Sequence, residues 1–308
     1  MRDVAVIGLG PSGMTAALYL TRSKLDILCF EKTSPGGQIV MTDNIENYPG
    51  FPKGISGYEL AELFKKQLQI YPVEIKSEEV IAIERKGNLI IKTLSSDYEV
   101  LSVIVAAGAY PRRLSIKGED IFTGRGVSYC ATCDANFFKG KRVAVLGGGD
   151  SAVEEAIFLS KFVEKLYLIH RRERLRAVGV LQDKMAALTN VEFVLDSVIE
   201  EIGGDSKVGF IQIKNLKTAN SKRINLDGVF IFAGYTPNTQ FLKEFLQLDS
   251  EGYIIAVDNF KTSIEGVFTA GDVRSGSLKQ VISASGEGAH AAVKVSKYLD
   301  KIKGVSYD

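Results

Sequence analysis

The sequence predicts an α/β fold in which one copy of a parallel-sheet module is inserted into another. A strand, a glycine-rich turn and a helix follow one another at the N-terminus, and the same succession returns in mid-chain. A third piece near the C-terminus has a strand and a helix but no glycine motif, so we expect it to complete the first module. A chain of 308 residues suggests about two domains.

The first copy opens with a buried strand, Asp3–Ile7, and a helix over Pro11–Leu20. Between them the spacing GxGxxG is formed by Gly8, Gly10 and Gly13. Such glycines allow a tight turn, close approach of the backbone to a pyrophosphate, and close packing of helix on strand. The helix N-terminus adds N–H groups that can bind phosphate.

The second strand of this copy, Asp26–Phe30, is followed by Glu31. Its spacing in sequence from the glycine motif is close to the roughly 20 residues expected for a carboxylate that binds a ribose hydroxyl. Strand, turn, helix and acid together favour a dinucleotide site over an ordinary Gly-rich turn. Cys29 lies within this strand and should point away from Phe30. We expect it to be a small buried hydrophobic residue.

The second copy has the strand Arg142–Leu146, a helix over Ser151–Phe162 and the strand Lys165–Ile169. Its turn has the spacing GxGxxA, formed by Gly147, Gly149 and Ala152. Bases replace the acid at the end of its second strand: His170, Arg171, Arg172 and Arg176. Arginines bind a 2′-phosphate that an acid would repel, so the pattern favours NADPH over NADH. The alternative is a solvated basic surface.

Both copies continue into short strands and close on an apolar strand that ends in glycine. The predicted strands are Glu79–Ile83, Asn88–Thr93 and Glu99–Ala106 before Gly108, and Ser197–Ile202, Val208–Asn215 and Asp227–Ala233 before Gly234. In the third piece a strand runs into Gly271 and Asp272, and a helix spans Val281–Tyr298. Asp272 could cap that helix, bind a cofactor, or do both. The predicted crossings between domains lie near Pro111–Lys117 and Pro237–Phe241.

Cys130 and Cys133 form a CxxC pair in a chain with three cysteines. Such a pair can accept two electrons and pass them on by thiol–disulfide exchange. The alternative is half of a zinc site, but zinc needs four ligands and the other candidates are Cys29, His170 and His290. We therefore predict redox chemistry.

Composition excludes several other classes. A net charge of +1 provides no general attraction to nucleic acid or anionic membranes. No apolar run approaches the roughly 18–20 residues that span a bilayer. The first strand begins close to Met1, which leaves no room for a secretory signal. We expect a cytoplasmic protein, where a CxxC pair is typically catalytic.

The chain resembles low-molecular-weight, flavin-dependent thioredoxin reductases over nearly its whole length. The matching stretches are GLGPSGMTAALY, GGQ at 36–38, ENYPGFP at 46–52, CATCD, GGGDSAVEEA at 147–156, HRRERLRA at 170–177, GYTPNT at 234–239, and TAGDV followed by KQVISASGEGAHAA. The resemblance implies two Rossmann-like domains, with an NADPH-binding domain at 114–240 inserted into an FAD-binding domain at 1–113 and 241–308.

The resemblance also implies the residues of the site. Those expected to bind FAD are Gly8, Gly10, Pro11, Ser12, Gly13, Glu31, Lys32, Gly37, Gln38, Asn47, Ile81, Ala107, Gly108, Gly271, Asp272, Lys279, Gln280 and Val281. Those expected to bind NADPH are Gly147, Gly149, Asp150, Ser151, Ala152, His170, Arg171, Arg172, Arg176 and Gly234. Cys133 should lie nearest the flavin, Cys130 should attack the substrate disulfide, and Asp134 should handle a proton.

Two residues depart from the family pattern: Lys279 stands where Arg is common, and Tyr235 where His is common. The implied reaction passes electrons from NADPH through FAD and the cysteine pair to thioredoxin or a similar small disulfide protein. A rotation between the two domains and a homodimer are also expected. Rival functions are a related flavoprotein that serves a peroxidase or ferredoxin, and a non-enzymatic redox-sensing module.

Overall fold

The computed structural model describes residues 1–42, 45, 47–258 and 260–305. Glu46, from the ENYPGFP stretch, lies outside the described residues. The chain divides into two compact units. Unit 1 comprises Met1–Tyr110 and Thr236–Asp308, and unit 2 comprises Pro111–Tyr235. Unit 2 is therefore an insertion in the sequence of unit 1.

Strands outnumber helices along the described part of the chain. The strands are β1 Arg2–Ile7, β2 Ile27–Phe30, β3 Glu74–Lys76, β4 Val80–Lys86, β5 Asn88–Thr93, β6 Asp97–Val105, β7 Ala109–Pro111, β8 Val127–Ser128, β9 Arg142–Leu146, β10 Lys165–Ile169, β11 Val191–Val194, β12 Ser197–Gly204, β13 Val208–Asn215, β14 Ser221–Asn225, β15 Gly228–Ile231, β16 Tyr235–Pro237 and β17 Val267–Thr269. The α-helices are α1 Pro11–Arg22, α2 Gly57–Leu68, α3 Glu119–Phe122, α4 Ala131–Asp134, α5 Asp150–Ser160, α6 Gly179–Ala186 and α7 Val281–Ile302, and 3₁₀ helices span Gly37–Met41, Ala135–Phe138 and Gln240–Leu242.

Unit 1 is built on a sheet with the order β3-β2-β1-β6-β5-β4, to which β17 adds by pairing with β6. Strands β1, β2, β3, β6 and β17 pair in parallel, whereas β4, β5 and β6 pair antiparallel. Because β17 pairs with β6 in the middle of this sheet, the C-terminal piece completes the first module, as predicted. Helix α7 then packs against α1.

The two faces of the unit 1 sheet carry separate cores. Cys29 packs into the core that includes α1 and α7, whereas Phe30 packs into the core on the other face. Both residues are fully or almost fully buried, at 0% and 1% exposure. The predictions that Cys29 is a buried hydrophobic residue and points away from Phe30 are confirmed.

Unit 2 repeats the design with five parallel strands in the order β11-β10-β9-β15-β8. Its antiparallel strands β12, β13 and β14 form a sheet of their own. Sequence reasoning predicted β9, β10 and β13 with their observed bounds and missed β8, β11 and β14, which are short strands; β14 is also largely exposed. Within the described residues, no helix is long and apolar enough to cross a membrane.

Candidate active site

The first glycine turn brings strand and helix into close contact. Gly8 donates its N–H to the carbonyl of Phe30 at 2.8 Å, which ties the turn to β2. A Cβ at Gly13 would lie 1.8 Å from the Gly8 oxygen, so only glycine fits there. At Gly10, which caps α1, a Cβ would have only Gly37 Cα within 4 Å, at 3.8 Å. The backbone at the start of α1 therefore has open space beside Gly10.

Glu31 lies at the end of β2, beside this turn. Its carboxylate accepts hydrogen bonds from the N–H of Leu9 at 2.9 Å and from the N–H of Thr33 at 3.1 Å. The side chain is only partly buried. The acid therefore holds the turn in place and remains reachable from solvent, which suits a carboxylate that binds a ribose hydroxyl.

Two buried polar atoms collect at the N-terminus of α1. The hydroxyl of Ser12 and one carboxylate oxygen of Asp272 have no hydrogen-bond partner among the described residues. Gly271 lies against Ser12, since a Cβ placed on it would be 2.8 Å from Ser12 Cβ. Burial raises the pKa of Asp272 to about 6. Buried polar groups are normally paired, so these orphaned atoms fit a bound group rich in hydroxyl and phosphate oxygens.

Several further residues of the predicted flavin site are brought together in unit 1. Asn47 donates from its amide nitrogen to the amide oxygen of Gln280 at 3.0 Å, across 233 positions of sequence. Gln280 caps α7, and Val281 is its first residue. Gln38 is exposed in the 3₁₀ helix that follows Gly36.

Lys32, Ile81 and Lys279 were also predicted to contact FAD. Lys32 pairs with Glu79 at 3.4 Å, and Ile81 is exposed on β4. The ammonium of Lys279 lies over the ring of Tyr253, 4.8 Å from its centre.

Asn238 is a functional candidate that sequence reasoning did not single out. Its amide nitrogen donates to the Ala107 carbonyl at 2.8 Å, and its backbone N–H donates to the Gly108 carbonyl at 3.0 Å. Both partners were predicted to contact FAD. Asn238 therefore fixes the backbone of Ala107 and Gly108. Its place in the GYTPNT stretch was the sequence signal that could have identified it.

The second glycine turn is packed differently. A Cβ at Gly147 would lie 2.4 Å from the Cβ of Ala152, so this turn accommodates a methyl group at the last position of the motif, where the first copy has room only for Gly13. A Cβ at Gly148 would lie 2.4 Å from the imidazole of His170. Gly148 is thus required by the His170 ring, a contact that the sequence alone did not indicate.

The basic residues lie over this turn. The N–H groups of Arg176 and Ala177 donate to the Gly148 carbonyl at 2.6 and 3.1 Å. The Arg176 guanidinium reaches Gly149, since a Cβ built there would be 3.7 Å from Nη2. Arg171 and Arg172 are exposed like Arg176. Arg176 thus lies at the start of α5, where phosphate binding is favoured, and Arg171 and Arg172 directly follow His170, whose ring packs against Gly148 in the same turn.

His170 is buried beneath these arginines, with 6% of its surface exposed. Its Nε2 has no hydrogen-bond partner in the part of the chain that the structure describes. Burial, followed by the positive charges of Arg176, Arg172 and Arg171, lowers the pKa of His170. The ring is therefore held neutral below an exposed cationic surface, and an unpaired nitrogen beside a glycine turn fits a bound nucleotide.

The remaining predicted residues of this turn occupy its edges. Asp150 accepts the N–H of Val178 at 2.8 Å, which fastens α6 to the turn. Ser151 is exposed in the first turn of α5. Gly234 accepts the N–H of Arg112 at 2.8 Å.

Cys130 and Cys133 form a disulfide that spans the start of α4. The Cys130 sulfur accepts the N–H of Cys133 at 3.2 Å. Ser128 holds Cys130 from the other side, accepting its N–H at 3.1 Å and donating to its carbonyl at 3.2 Å. Both cysteines are partly exposed, and Thr132 between them is exposed. The bond confirms the predicted pairing and leaves it open to exchange.

Glu155 on α5 is a second candidate that the sequence did not single out. One of its carboxylate oxygens is buried without a partner among the described residues. Burial raises the pKa of Glu155, while hydrogen bonds from the backbone of Ala131 and Thr132 oppose that rise. An acid thus lies against the backbone of the CxxC helix, a position that only the packing of α4 on α5 reveals.

Comparison with known proteins identifies the family. Residues 2–288 match the pyridine nucleotide-disulphide oxidoreductase family. The chain belongs to this family. It is 42% identical over 305 residues to the thioredoxin reductase of Peptoclostridium acidaminophilum, covering 97% of each chain. It is 39% identical over 303 residues to the thioredoxin reductase of Bacillus subtilis (strain 168), covering 98% of this chain and 96% of the relative.

Solved structures of other family members agree in fold. The thioredoxin reductase of Streptococcus pyogenes MGAS5005 superimposes with a TM-score of 0.92 at 45% identity, covering 98% of this chain and 99% of that one. That of Lactococcus lactis, in a state named the FR conformation, has a TM-score of 0.69 at 40% identity and covers 98% and 100%.

Family membership makes the chain an oxidoreductase with the mixed α/β fold predicted for it. It also implies a flavin and a pyridine nucleotide. The disulfide between Cys130 and Cys133 fits the redox-active disulfide of such an enzyme.

Proposed function

We propose that the protein is a thioredoxin reductase that passes electrons from NADPH, through FAD and the Cys130–Cys133 disulfide, to thioredoxin or a similar small disulfide protein. The disulfide carries the proposal. It is partly exposed and caps a short helix within the unit that bears the arginine-rich glycine turn. Relatives of about 40% identity over nearly the full chain are named thioredoxin reductase.

Unit 1 would hold FAD. The turn at Gly10 and the start of α1 would receive the pyrophosphate, and Glu31 would accept a ribose hydroxyl. Ser12 and Asp272 would supply the polar contacts that their buried oxygens lack among the described residues. FAD, when bound, supplies the exchange between hydride transfer and disulfide reduction.

Unit 2 would hold NADPH. Gly149 and Ser151 at the start of α5 would face the pyrophosphate, and Arg171, Arg172 and Arg176 would bind the 2′-phosphate. The three arginines are exposed, and Arg176 reaches the turn itself. A planar guanidinium matches a phosphate with two parallel hydrogen bonds, so the cluster would discriminate against NADH.

The two cysteines would divide the work. After two electrons break the Cys130–Cys133 bond, the Cys130 thiolate attacks the disulfide of the partner protein and one partner sulfur leaves as a thiolate. Cys133 then attacks the mixed disulfide at the Cys130 sulfur, which releases the second partner thiolate and restores the pair. Asp134 would carry the proton that accompanies the cycle. In this assignment Cys133 is the cysteine next to the flavin.

Further features of the proposal come from the family. One flavin must exchange electrons with both the nucleotide and the disulfide, and the disulfide must also reach a protein partner. A rotation between the two domains would serve all three needs and stays a prediction. A homodimer in the cytoplasm is expected on the same basis.

Two measurements test the proposal directly. The purified protein should be yellow, and it should oxidise NADPH rapidly when an oxidised thioredoxin is supplied and slowly without it. A colourless protein that cannot be reconstituted with FAD would end the flavoenzyme assignment. Rapid turnover with another small disulfide protein, but none with thioredoxin, would favour the alternative of a related reductase with a different acceptor.

The roles of the cysteines are tested with two single variants. Cys130→Ser and Cys133→Ser should both abolish thioredoxin reduction and retain binding of both cofactors. Only Cys130→Ser should show long-wavelength absorption from a Cys133 thiolate against the flavin ring. A thioredoxin activated at its thiol should be trapped through Cys130 in the Cys133→Ser variant. Trapping through Cys133 alone would reverse the assigned roles.

A further inference from the structure

The turn at Gly271 and Asp272 has to be held accurately, because it carries a carboxylate into the site. It follows β17 directly, and Gly271 adopts a φ of 79°, in the left-handed region. Gly271 packs against Ser12, because a Cβ built on Gly271 would lie 2.8 Å from the Ser12 Cβ. A small shift of this turn would therefore move the Asp272 carboxylate relative to the start of α1.

Glu287, on α7, holds that turn. One of its oxygens accepts the N–H of Gly271 at 2.8 Å. The same oxygen accepts Nε of Arg274 at 3.1 Å, and the other accepts Nη2 at 2.5 Å. The two side chains are 12% and 21% exposed, so this is a largely desolvated, two-pronged ion pair. Arg274 also lies over the Phe260 ring, 5.4 Å from its centre.

Glu287 is one of several charged groups that face Asp272. Burial and the Glu287 carboxylate raise the pKa of Asp272, whereas Lys279 and a hydrogen bond from Ser277 lower it. Burial, and to a smaller extent nearby negative charges that include Asp272, raise the pKa of Tyr253 to about 12. Arg274 pairs with Glu287 and balances its negative charge.

We infer that Glu287 is a positioning residue of the flavin site, which fixes the Gly271–Asp272 turn through the Gly271 N–H and, together with Arg274, sets the charge that Asp272 experiences. The inference rests on the proposed function in that FAD is taken as the group that Asp272 contacts. Glu287 acts on the site through the Gly271–Asp272 turn that it holds.

The decisive test compares two variants that break the same ion pair from opposite ends. Glu287→Gln removes a negative charge, keeps an acceptor for Gly271 N–H, and should shift the titration of Asp272 to lower pH. Arg274→Met leaves Glu287 unbalanced and should shift it to higher pH. If the ion pair had only a structural role, the Asp272 titration would shift in the same direction in both variants or would not shift in either. Glu244→Gln, an exposed acid of unit 1, is the matched control.

The titration is followed through the Asp272 side-chain carbon by NMR in the full-length protein, with FAD bound and after its removal. FAD affinity is measured in parallel: it should fall about tenfold in Glu287→Ala, which removes the acceptor for Gly271 N–H, and much less in Glu287→Gln, which keeps it. Unchanged Asp272 titration in both variants would overturn the inference. Failure of the parent protein to reduce thioredoxin would count against the proposed function and leave the titration result standing.

Discussion

The two glycine turns start from the same design and differ in what closes them. In unit 1 the last position of the motif is Gly13, and the acid Glu31 binds the turn through Leu9 N–H. In unit 2 that position is Ala152, and a neutral, buried His170 lies under the turn with arginines above it. The same backbone scaffold therefore presents an acid in one unit and a cationic surface in the other.

This difference teaches where specificity can reside in a duplicated module. The glycine positions are dictated by contacts between strand, turn and helix, which both copies must satisfy. The residue after the second strand also contacts the turn, through the Glu31 carboxylate in unit 1 and the His170 ring in unit 2, but an acidic or a basic side chain can make that contact, so this position can match the ligand. We therefore expect substitutions in the turn to act on folding and substitutions after the strand to act on ligand choice.

The largest effect is expected when the last position of the two motifs is exchanged. Gly13→Ala places a Cβ 1.8 Å from the Gly8 oxygen, a backbone atom that cannot move aside. We expect a loss of about 3 kcal/mol in the free energy of unfolding, together with loss of the flavin. Ala152→Gly, the reverse change in unit 2, should cost only about 1 kcal/mol, as for glycine in a helix. Urea unfolding of the two variants measures both values, and equal losses would show that the turns are packed alike.

The next effect concerns ligand choice in unit 2. Changing Arg171, Arg172 or Arg176 to Gln should each cost roughly 1.5–3 kcal/mol of NADPH binding, or about ten- to over a hundredfold in kcat/KM. Because NADH lacks the 2′-phosphate, its kcat/KM should change little. Kinetics with both nucleotides decide the matter, and equal efficiency of the parent enzyme with NADH and NADPH would refute the assignment of the cluster.

Sequence reasoning could predict what depends on local pattern. The strand–turn–helix units, the basic strand end and the CxxC pair all have signals within a few residues, and the strands Arg142–Leu146 and Lys165–Ile169 were predicted with their observed bounds. The C-terminal strand was assigned to the first module because it follows a complete second module and no third glycine motif accompanies it, and in the structure it pairs with β6.

What the sequence could not provide are contacts between distant elements. Gly148 looks like a spare glycine until the His170 ring is seen against it. In the sequence, Glu155 looks like an ordinary residue on the polar face of a helix. Glu287 looks like any other acid in the helix that follows Gln280. Their burial follows from how α5 packs on α4 and α7 on the Gly271 turn, which local patterns do not encode.

The smallest effect expected is a pair of opposite pH dependences of stability. Asp272 has its pKa raised by burial from 3.8 to about 6, so its contribution to folding is present at low pH and lost as pH rises through this interval. His170 has its pKa lowered from 6.5 by burial, so its contribution is present above pH 6.5 and lost as pH falls below it.

Each dependence should disappear with the neutral variant of its residue. Asp272→Asn should stabilise the FAD-free protein by about 1–2 kcal/mol at pH 7–8 relative to pH 4, because the buried charge is gone. His170→Asn should flatten the loss below pH 6.5 and leave the alkaline side unchanged. Urea unfolding of the FAD-free parent and both variants from pH 4 to 8 measures the slopes. If the free energy of unfolding depended on pH in the same way in all three proteins, neither buried group would titrate differently in the folded and unfolded chain. The unpaired Asp272 and His170 side chains would then make no pH-dependent contribution to stability.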